Sequence, residues 1–274
     1  MNTVKLHDKI DIPQLGFGVF QVEEKDAEPA VSKAIETGYR SIDTAAIYGN
    51  EQQVGEAIAK SNVPREELFI TTKVWNTDQG YDKTLNAFDE SLKKLGLDYV
   101  DMYLVHWPTP EYDDYVETYK ALEKLQKDGR VKAIGVCNFN IEHLQRLLDE
   151  CDVKPAVNQV ECHPYLAQNE LKEFCHENGI LLEAWAPIMQ GGDVLTDDVI
   201  QSIAREHNKS SAQVIIRWHL QNGTIVIPKS ITPSRIEENF DVFDFTLSDE
   251  EMNNINELDR GERKGPEPSE MNVR

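Results

Sequence analysis

Val100-Asp101-Met102-Tyr103-Leu104-Val105-His106-Trp107 is a short run, apolar apart from one acid near its start, that ends on a histidine and an aromatic residue. A strand without polar/apolar alternation belongs where both faces are covered, as in a parallel sheet flanked by helices. Seven further runs have the same character, at 16–20, 39–45, 68–74, 133–139, 156–163, 180–187 and 224–228. The amphipathic, charge-rich segments between them predict helices at 27–37, Glu51–Lys60, Tyr81–Leu95, 114–127, Ile141–Glu150, Asn169–Glu177, 197–207, 212–221 and 234–239, with Gly38 and Gly96 as stop signals. Strand–helix units spread evenly along the chain, with no Pro/Ser-rich linker, predict an α/β (β/α)8 TIM barrel occupying residues 1–274 as a single domain. Outside this rhythm lie an N-terminal β-hairpin over 4–12 turning at His7-Asp8-Lys9, a helix at 248–258 announced by Ser248 and the acids after it, and a short charged tail at 259–274.

Composition narrows the function. With 28 Lys+Arg against 49 Asp+Glu the chain of 274 residues carries a net charge of −21, while 40% of it is hydrophobic, enough for a sizeable core. Such a surface repels phosphate polyanions, and no basic run offsets it, so nucleic acid is excluded as a partner. No stretch reaches the length of a membrane span and the N-terminus lacks a signal-like apolar run, so a cytoplasmic protein acting on a small molecule, without membrane contact, is expected. Cys137, Cys151, Cys162 and Cys175 form no Cys-x-x-Cys pair and read as reduced thiols, with no metal site.

In a barrel the reacting groups project from the carboxyl ends of the strands. Three successive runs end in Asp43, Lys73 and His106, and Tyr48 sits in the loop between the first two. By the period-two rule Thr71, Lys73 and Trp75 share one face, as do Tyr39, Ser41 and Asp43, so Asp43 and Lys73 converge if those faces point inward. A phenol, with an ordinary pKa of about 10, becomes more acidic beside an ammonium ion. Lys73 is therefore expected to acidify Tyr48, and Asp43 to keep Lys73 charged. His106 would orient a carbonyl oxygen beside the Tyr48 hydroxyl, so that together these groups polarise and protonate a carbonyl. Each residue also has an ordinary structural explanation: an inter-strand ion pair, a packing aromatic, a core histidine. A different chemistry for the same barrel would use Lys73 as a Schiff-base nucleophile of the aldolase type.

Gly16-Phe17-Gly18 followed by Asp43 imitates a dinucleotide-binding fingerprint, but Gln21 stands where the third glycine is required and no helix opens at the second. The two glycines are read instead as close packing at the barrel mouth.

The chain resembles the aldo-keto reductases, specifically their short bacterial branch related to diketogluconate and glyoxal reductases. The stretches that carry the resemblance are 15–18 (Leu-Gly-Phe-Gly), 41–45 (Ser-Ile-Asp-Thr-Ala), 48–51 (Tyr-Gly-Asn-Glu), 72–75 (Thr-Lys-Val-Trp), 104–108 (Leu-Val-His-Trp-Pro), 135–139 (Gly-Val-Cys-Asn-Phe) and 227–230 (Ile-Pro-Lys-Ser). The resemblance implies carbonyl reduction with NADPH and without metal by a tetrad falling on Asp43, Tyr48, Lys73 and His106. It places the nicotinamide against Asn138, Gln159 and Trp185. Lys229, Ser230 and Arg235 would grip the adenosine 2′-phosphate, and Glu238 and Asn239 would lie near the adenine. Arg235 in a helix's first turn opposes the helix dipole, which itself points to an anionic ligand. Cys137 and Ala186 stand where the family often has serine. Phe20, Trp75, His106 and Trp107 would wall the substrate, and the short tail implies an open pocket for small dicarbonyls, keto sugars or aromatic aldehydes. A monomer is typical of this branch. A barrel that binds NADPH as a non-catalytic subunit is the remaining alternative.

Overall fold

The alternation of buried runs and amphipathic segments closes into a barrel in the computed structural model, which describes residues 2–7 and 9–274. The hairpin pairs β1 (Thr3–Lys5) with β2 (Asp11–Pro13) in antiparallel register. The predicted turn is bounded by Leu6 N–H donating to the Ile10 carbonyl, while Asp8 itself lies outside the described residues. The barrel strands are β3 (Phe17–Gly18), β4 (Ser41–Asp43), β5 (Phe69–Val74), β6 (Val100–Val105), β7 (Val131–Cys137), β8 (Val157–Glu161), β9 (Leu181–Trp185) and β10 (Ile225–Val226). They lie side by side in chain order, all parallel. The ring is completed by a parallel bridge from Leu15 to Val226, with Gly16 N–H donating to the Val226 carbonyl at 2.8 Å and Val226 N–H to the Gln14 carbonyl at 3.0 Å.

Around the sheet run α1 (Glu24–Thr37), α2 (Glu51–Lys60), α3 (Tyr81–Leu95), α4 (Tyr115–Lys127), α5 (Ile141–Glu150), α6 (Asn169–Glu177), α7 (Asp198–His207), α8 (Ser211–Gln221), α9 (Pro233–Phe240) and α10 (Asp249–Asn256). None of them is long and apolar enough to cross a membrane. Side chains alternate across the strands as the pleat requires. On β6, Met102 and Leu104 point into the barrel, whereas Tyr103 and Val105 pack outward against the helices. Leu6 and Ile12 of the hairpin join Met102, Ala133, Val157 and Ile225, forming an apolar floor beneath the interior. The acid at the start of β6, Asp101, is buried but neutralised by Arg65 at 2.8 Å and Lys132 at 2.7 Å.

Several boundaries differ from the sequence reading. Tyr39 does not share a face with Asp43, because β4 begins only at Ser41 and the Tyr39 ring packs outward on Phe240 of α9, centroids 4.8 Å apart. Helix α1 starts a turn earlier than expected, at Glu24, with Pro29 inside it. Asp197 is a cap rather than a helical residue, and α8 begins one residue earlier than expected, capped by Ser210; the two cap side chains accept from the Val199 and Gln213 amides. At the other end of the chain, Ser248 and Glu251 form the capping box that starts α10.

The Gly-x-Gly pair belongs to the seam. A Cβ on Gly18 would stand 2.8 Å from the Ile227 carbonyl oxygen, so β3 approaches the β10 side this closely only because the side chain is missing. Gly18→Ala is expected to cost about 1–3 kcal/mol by forcing the seam apart, read as a lowered urea midpoint with an unchanged m-value; unchanged stability would show that the seam yields.

Candidate active site

Register places the reacting groups. Asp43 on β4 pairs with Thr71 on β5, and Lys73, two residues on, stands one layer nearer the mouth on the same inward face. Its Nζ donates to Asp43 Oδ1 at 2.6 Å and to the Thr44 carbonyl at 2.9 Å. Lys73 has no exposed surface and Asp43 only 2%. Beyond β4 the chain makes one 3-10 turn, Ala46–Tyr48, ended by Gly49 at φ 72°. The loop is held by residues that do not themselves face the mouth. Asn50 donates to the Val19 and Val22 carbonyls and accepts from Thr44 Oγ1 at 2.9 Å, while Glu51 accepts from Thr72 Oγ1 at 2.7 Å. The Tyr48 ring is thereby brought over the ammonium, with Lys73 Nζ 5.2 Å from its centroid.

His106, directly after β6, completes the group. Its ring lies edge-on to Tyr48 at 5.7 Å and to Trp75 at 5.1 Å, and Phe20 stacks obliquely on Tyr48 at 5.1 Å. Phe20, Tyr48, His106 and Trp75 form a continuous aromatic rim. Trp107 is buried beside them, but its ring is not part of these pairings.

Electrostatics corrects one expectation. Burial pushes Lys73 down, yet the Asp43 charge and the Asp43 hydrogen bond hold it above the usual lysine range, so it stays an ammonium ion. Tyr48 is not acidified outright. Burial raises it more than Lys73 lowers it, and Asp43 adds to the rise. Its surface is only half-buried, so the direction is what matters: the phenol keeps its proton at neutral pH. Burial, then the Lys73 charge, drives His106 well below the ordinary histidine range. The imidazole is neutral, with Nδ1 buried and lacking a hydrogen-bond partner.

On the opposite wall, Cys137, Gln159 and Glu183 stand side by side in register. Gln159 Nε2 donates to Asp43 Oδ2 at 2.8 Å and to Glu183 Oε2 at 3.0 Å, and the Cys137 thiol reaches Gln159 Oε1 at 3.6 Å. Asn138, at φ 63°, donates to the His106 carbonyl at 3.0 Å and accepts from Trp185 Nε1 at 2.8 Å. Past β10, Lys229 and Arg235 are exposed on either side of the α9 N-terminus, Ser230 Oγ accepts from the Thr232 amide at 3.1 Å, and Thr232 caps the helix without a side-chain bond. Glu238 is bonded to Ser210, and Asn239 is buried.

A model of the aldo/keto reductase family matches residues 14–260. The chain belongs to that family. It is 56% identical over 271 residues to a glyoxal reductase of Bacillus subtilis (strain 168), covering 98% of this chain and 97% of the relative. To the methylglyoxal reductase DkgA of Escherichia coli (strain K12) it is 52% identical over 269 residues, covering 98% and 97%. Among solved structures, a mutant of Gox0644 in complex with NADPH superposes with a TM-score of 0.94 at 46% identity, covering 98% of each chain.

The tail of this aldo/keto reductase runs along the barrel mouth. Glu161 at the end of β8, fully buried, accepts from the Lys264 and Gly265 amides at 2.7 and 2.8 Å. A Cβ on Gly265 would stand 2.5 Å from Trp185, so the tail lies directly on that indole. It continues past Asn140, which donates to Glu267, and past Asn76, which donates to the Val273 carbonyl at 2.7 Å. Arg274 then lies over the Tyr112 ring and pairs with Asp114. The tail thus follows the mouth from β9 back to β5. Glu161 and Glu183 escaped the sequence reading, although both are acids inside apolar runs, spaced by two from Gln159 and Trp185.

The Lys73–Asp43 pair gives a signed test. Wild-type Lys73 has a raised folded pKa, so its contribution is complete below the unfolded lysine value and is lost as pH rises through the folded one. Asp43→Asn is expected to cost about 3–5 kcal/mol at neutral pH by stranding a buried ammonium. With burial alone acting, its folded Lys73 pKa drops below the unfolded one and its stability rises with pH. Between about pH 7 and pH 10 Lys73 should add no slope to urea unfolding of the wild type, whereas Asp43→Asn should gain stability relative to it as pH rises; parallel profiles would refute the assignment.

Proposed function

We propose that this aldo/keto reductase reduces small 1,2-dicarbonyl compounds with NADPH, Tyr48 delivering the proton. The observation that carries the reading is a protonated Tyr48 set over an ammonium ion that Asp43 keeps charged. A proton donor must hold its proton until the transition state, and burial ensures that it does. As the proton leaves, the Lys73 charge stabilises the developing phenolate inside a low-dielectric barrel, where such an interaction is strongest. Neutral His106 offers a single N–H for the carbonyl oxygen beside the Tyr48 hydroxyl, and Phe20 and Trp75 exclude water from it.

The donor set fits the cofactor. Lys229 and Arg235 have no ion-pair partner among the described residues of a strongly acidic chain, and they flank a helix N-terminus. With Ser230 they would hold a 2′-phosphate, with Glu238 and Asn239 nearby for the adenine. Asn138, Gln159 and Trp185 would meet the nicotinamide end. NADPH supplies the hydride when bound. A Schiff-base role for Lys73 is disfavoured because its nitrogen is a charged donor to two oxygens, not a free amine. The dicarbonyl assignment is supported by the glyoxal and methylglyoxal reductases among its relatives.

Loss of NADPH absorbance with glyoxal or methylglyoxal tests the reaction, and absence of turnover on any dicarbonyl would overturn it. Tyr48→Phe is expected to lower kcat by about 10²–10⁴-fold while leaving NADPH binding, followed by tryptophan fluorescence, unchanged. Arg235→Leu should raise the KM for NADPH about tenfold to a hundredfold with little effect on that for NADH; equal effects on both would remove Arg235 from the phosphate site.

A further inference from the structure

Glu183 is a buried acid for which carbonyl reduction assigns no task. It stands on β9 inside the barrel, 1% exposed, one strand from Gln159. We propose that Glu183 is a positioning residue: it enters turnover as a neutral carboxylic acid and, through the Gln159 amide it shares with Asp43, keeps Asp43 the single anion facing Lys73. This rests on the reading of Asp43, Lys73 and Tyr48 given above.

The ionisable groups that face the interior here are Asp43 from β4, Lys73 from β5, Cys137 from β7 and Glu183 from β9, with Tyr48 and His106 above them. Burial keeps the Cys137 thiol and the His106 ring neutral. One cation therefore serves two carboxyl groups, and it is bonded to Asp43 at 2.6 Å. A second carboxylate would leave an uncompensated charge in a low-dielectric space, which favours protonation instead. Burial first, and the Asp43 charge second, push Glu183 up to about 7, against the opposing pull of the Gln159 hydrogen bond and Lys73.

Geometry ties this proton to the site. One amide nitrogen donates to both carboxyl groups, at 2.8 and 3.0 Å. Because an ionised Asp43 accepts only, the Gln159 NH2 must face it, and Glu183 secures the second amide hydrogen. The Gln159 oxygen is thereby turned to the other side, toward Cys137. When Glu183 ionises, releasing its proton to solvent, a second negative charge beside Asp43 disfavours phenolate at Tyr48, as the Asp43 charge already does. Proton donation weakens, and reduction falls as pH rises through the Glu183 value.

The test follows kcat/KM for methylglyoxal reduction with NADPH across about pH 5.5–9, alongside infrared titration of the protein without cofactor. Wild type should lose about tenfold through a step near neutrality, the order of one added charge acting across the interior. It should also show a protonated-carboxyl band that disappears through the same range. Glu183→Gln, of equal shape and permanently neutral, should lose both the step and the band. A step that persists in Glu183→Gln, or a wild type without the band at the acid end, overturns the proposal. A wild type that reduces no carbonyl fails the functional reading alone, because the infrared titration needs no turnover and still decides where the proton sits.

Discussion

A lysine ammonium enclosed by protein sets the terms for the rest of this molecule. Lys73 has no exposed surface, and an isolated charge so placed would neutralise itself. Its two acceptors, the Asp43 carboxylate and the Thr44 carbonyl, come from the adjacent strand and hold the charge in place. They demand the β4–β5 register, which in turn demands that the loop after β4 rise over the ammonium, where Asn50 and Glu51 pin it. Tyr48 arrives in position as a consequence. The opposite wall answers the same charge, with Gln159 reaching across the barrel to the second Asp43 oxygen.

Much of this arrangement was legible in the chain, for identifiable reasons. Runs such as 100–107 announce parallel strands because burial on both faces removes the alternation that an exposed face would impose. Polar residues at the ends of those runs announce the site because strand ends are where a barrel opens. The protonation state of Tyr48 was not legible. It is decided by the balance between desolvation and a neighbouring charge, and sequence spacing reports the neighbour but not the depth. Glu183 was hidden for a related reason: an acid inside an apolar run looks like an interruption until its cross-strand partner is known. Asp101 is a similar acid with a wholly different fate, matched by Arg65 and Lys132.

The tail illustrates the limit of reading length as shape. Residues beyond α10 carry few apolar side chains, and their composition says only that they are solvated. Their path is set by single contacts: two amides on Glu161, one glycine against Trp185, one guanidinium over Tyr112. Such contacts are specific but short, and they leave no periodicity in the chain. A segment can therefore shape the rim of a site without any hydrophobic pattern to betray it.

The seam carries a consequence for how the protein is made. Leu15 meets Val226 across more than two hundred residues of chain, so an emerging polypeptide holds most of its sheet before the ring can shut. Throughout that wait one open flank is β3, while the other moves on with each new strand until β10 ends it. These two are also the shortest strands of the ring, two residues each. A flank as brief as β3 offers little template for a neighbouring chain to pair with, which protects that edge of the half-made sheet from aggregation while translation continues.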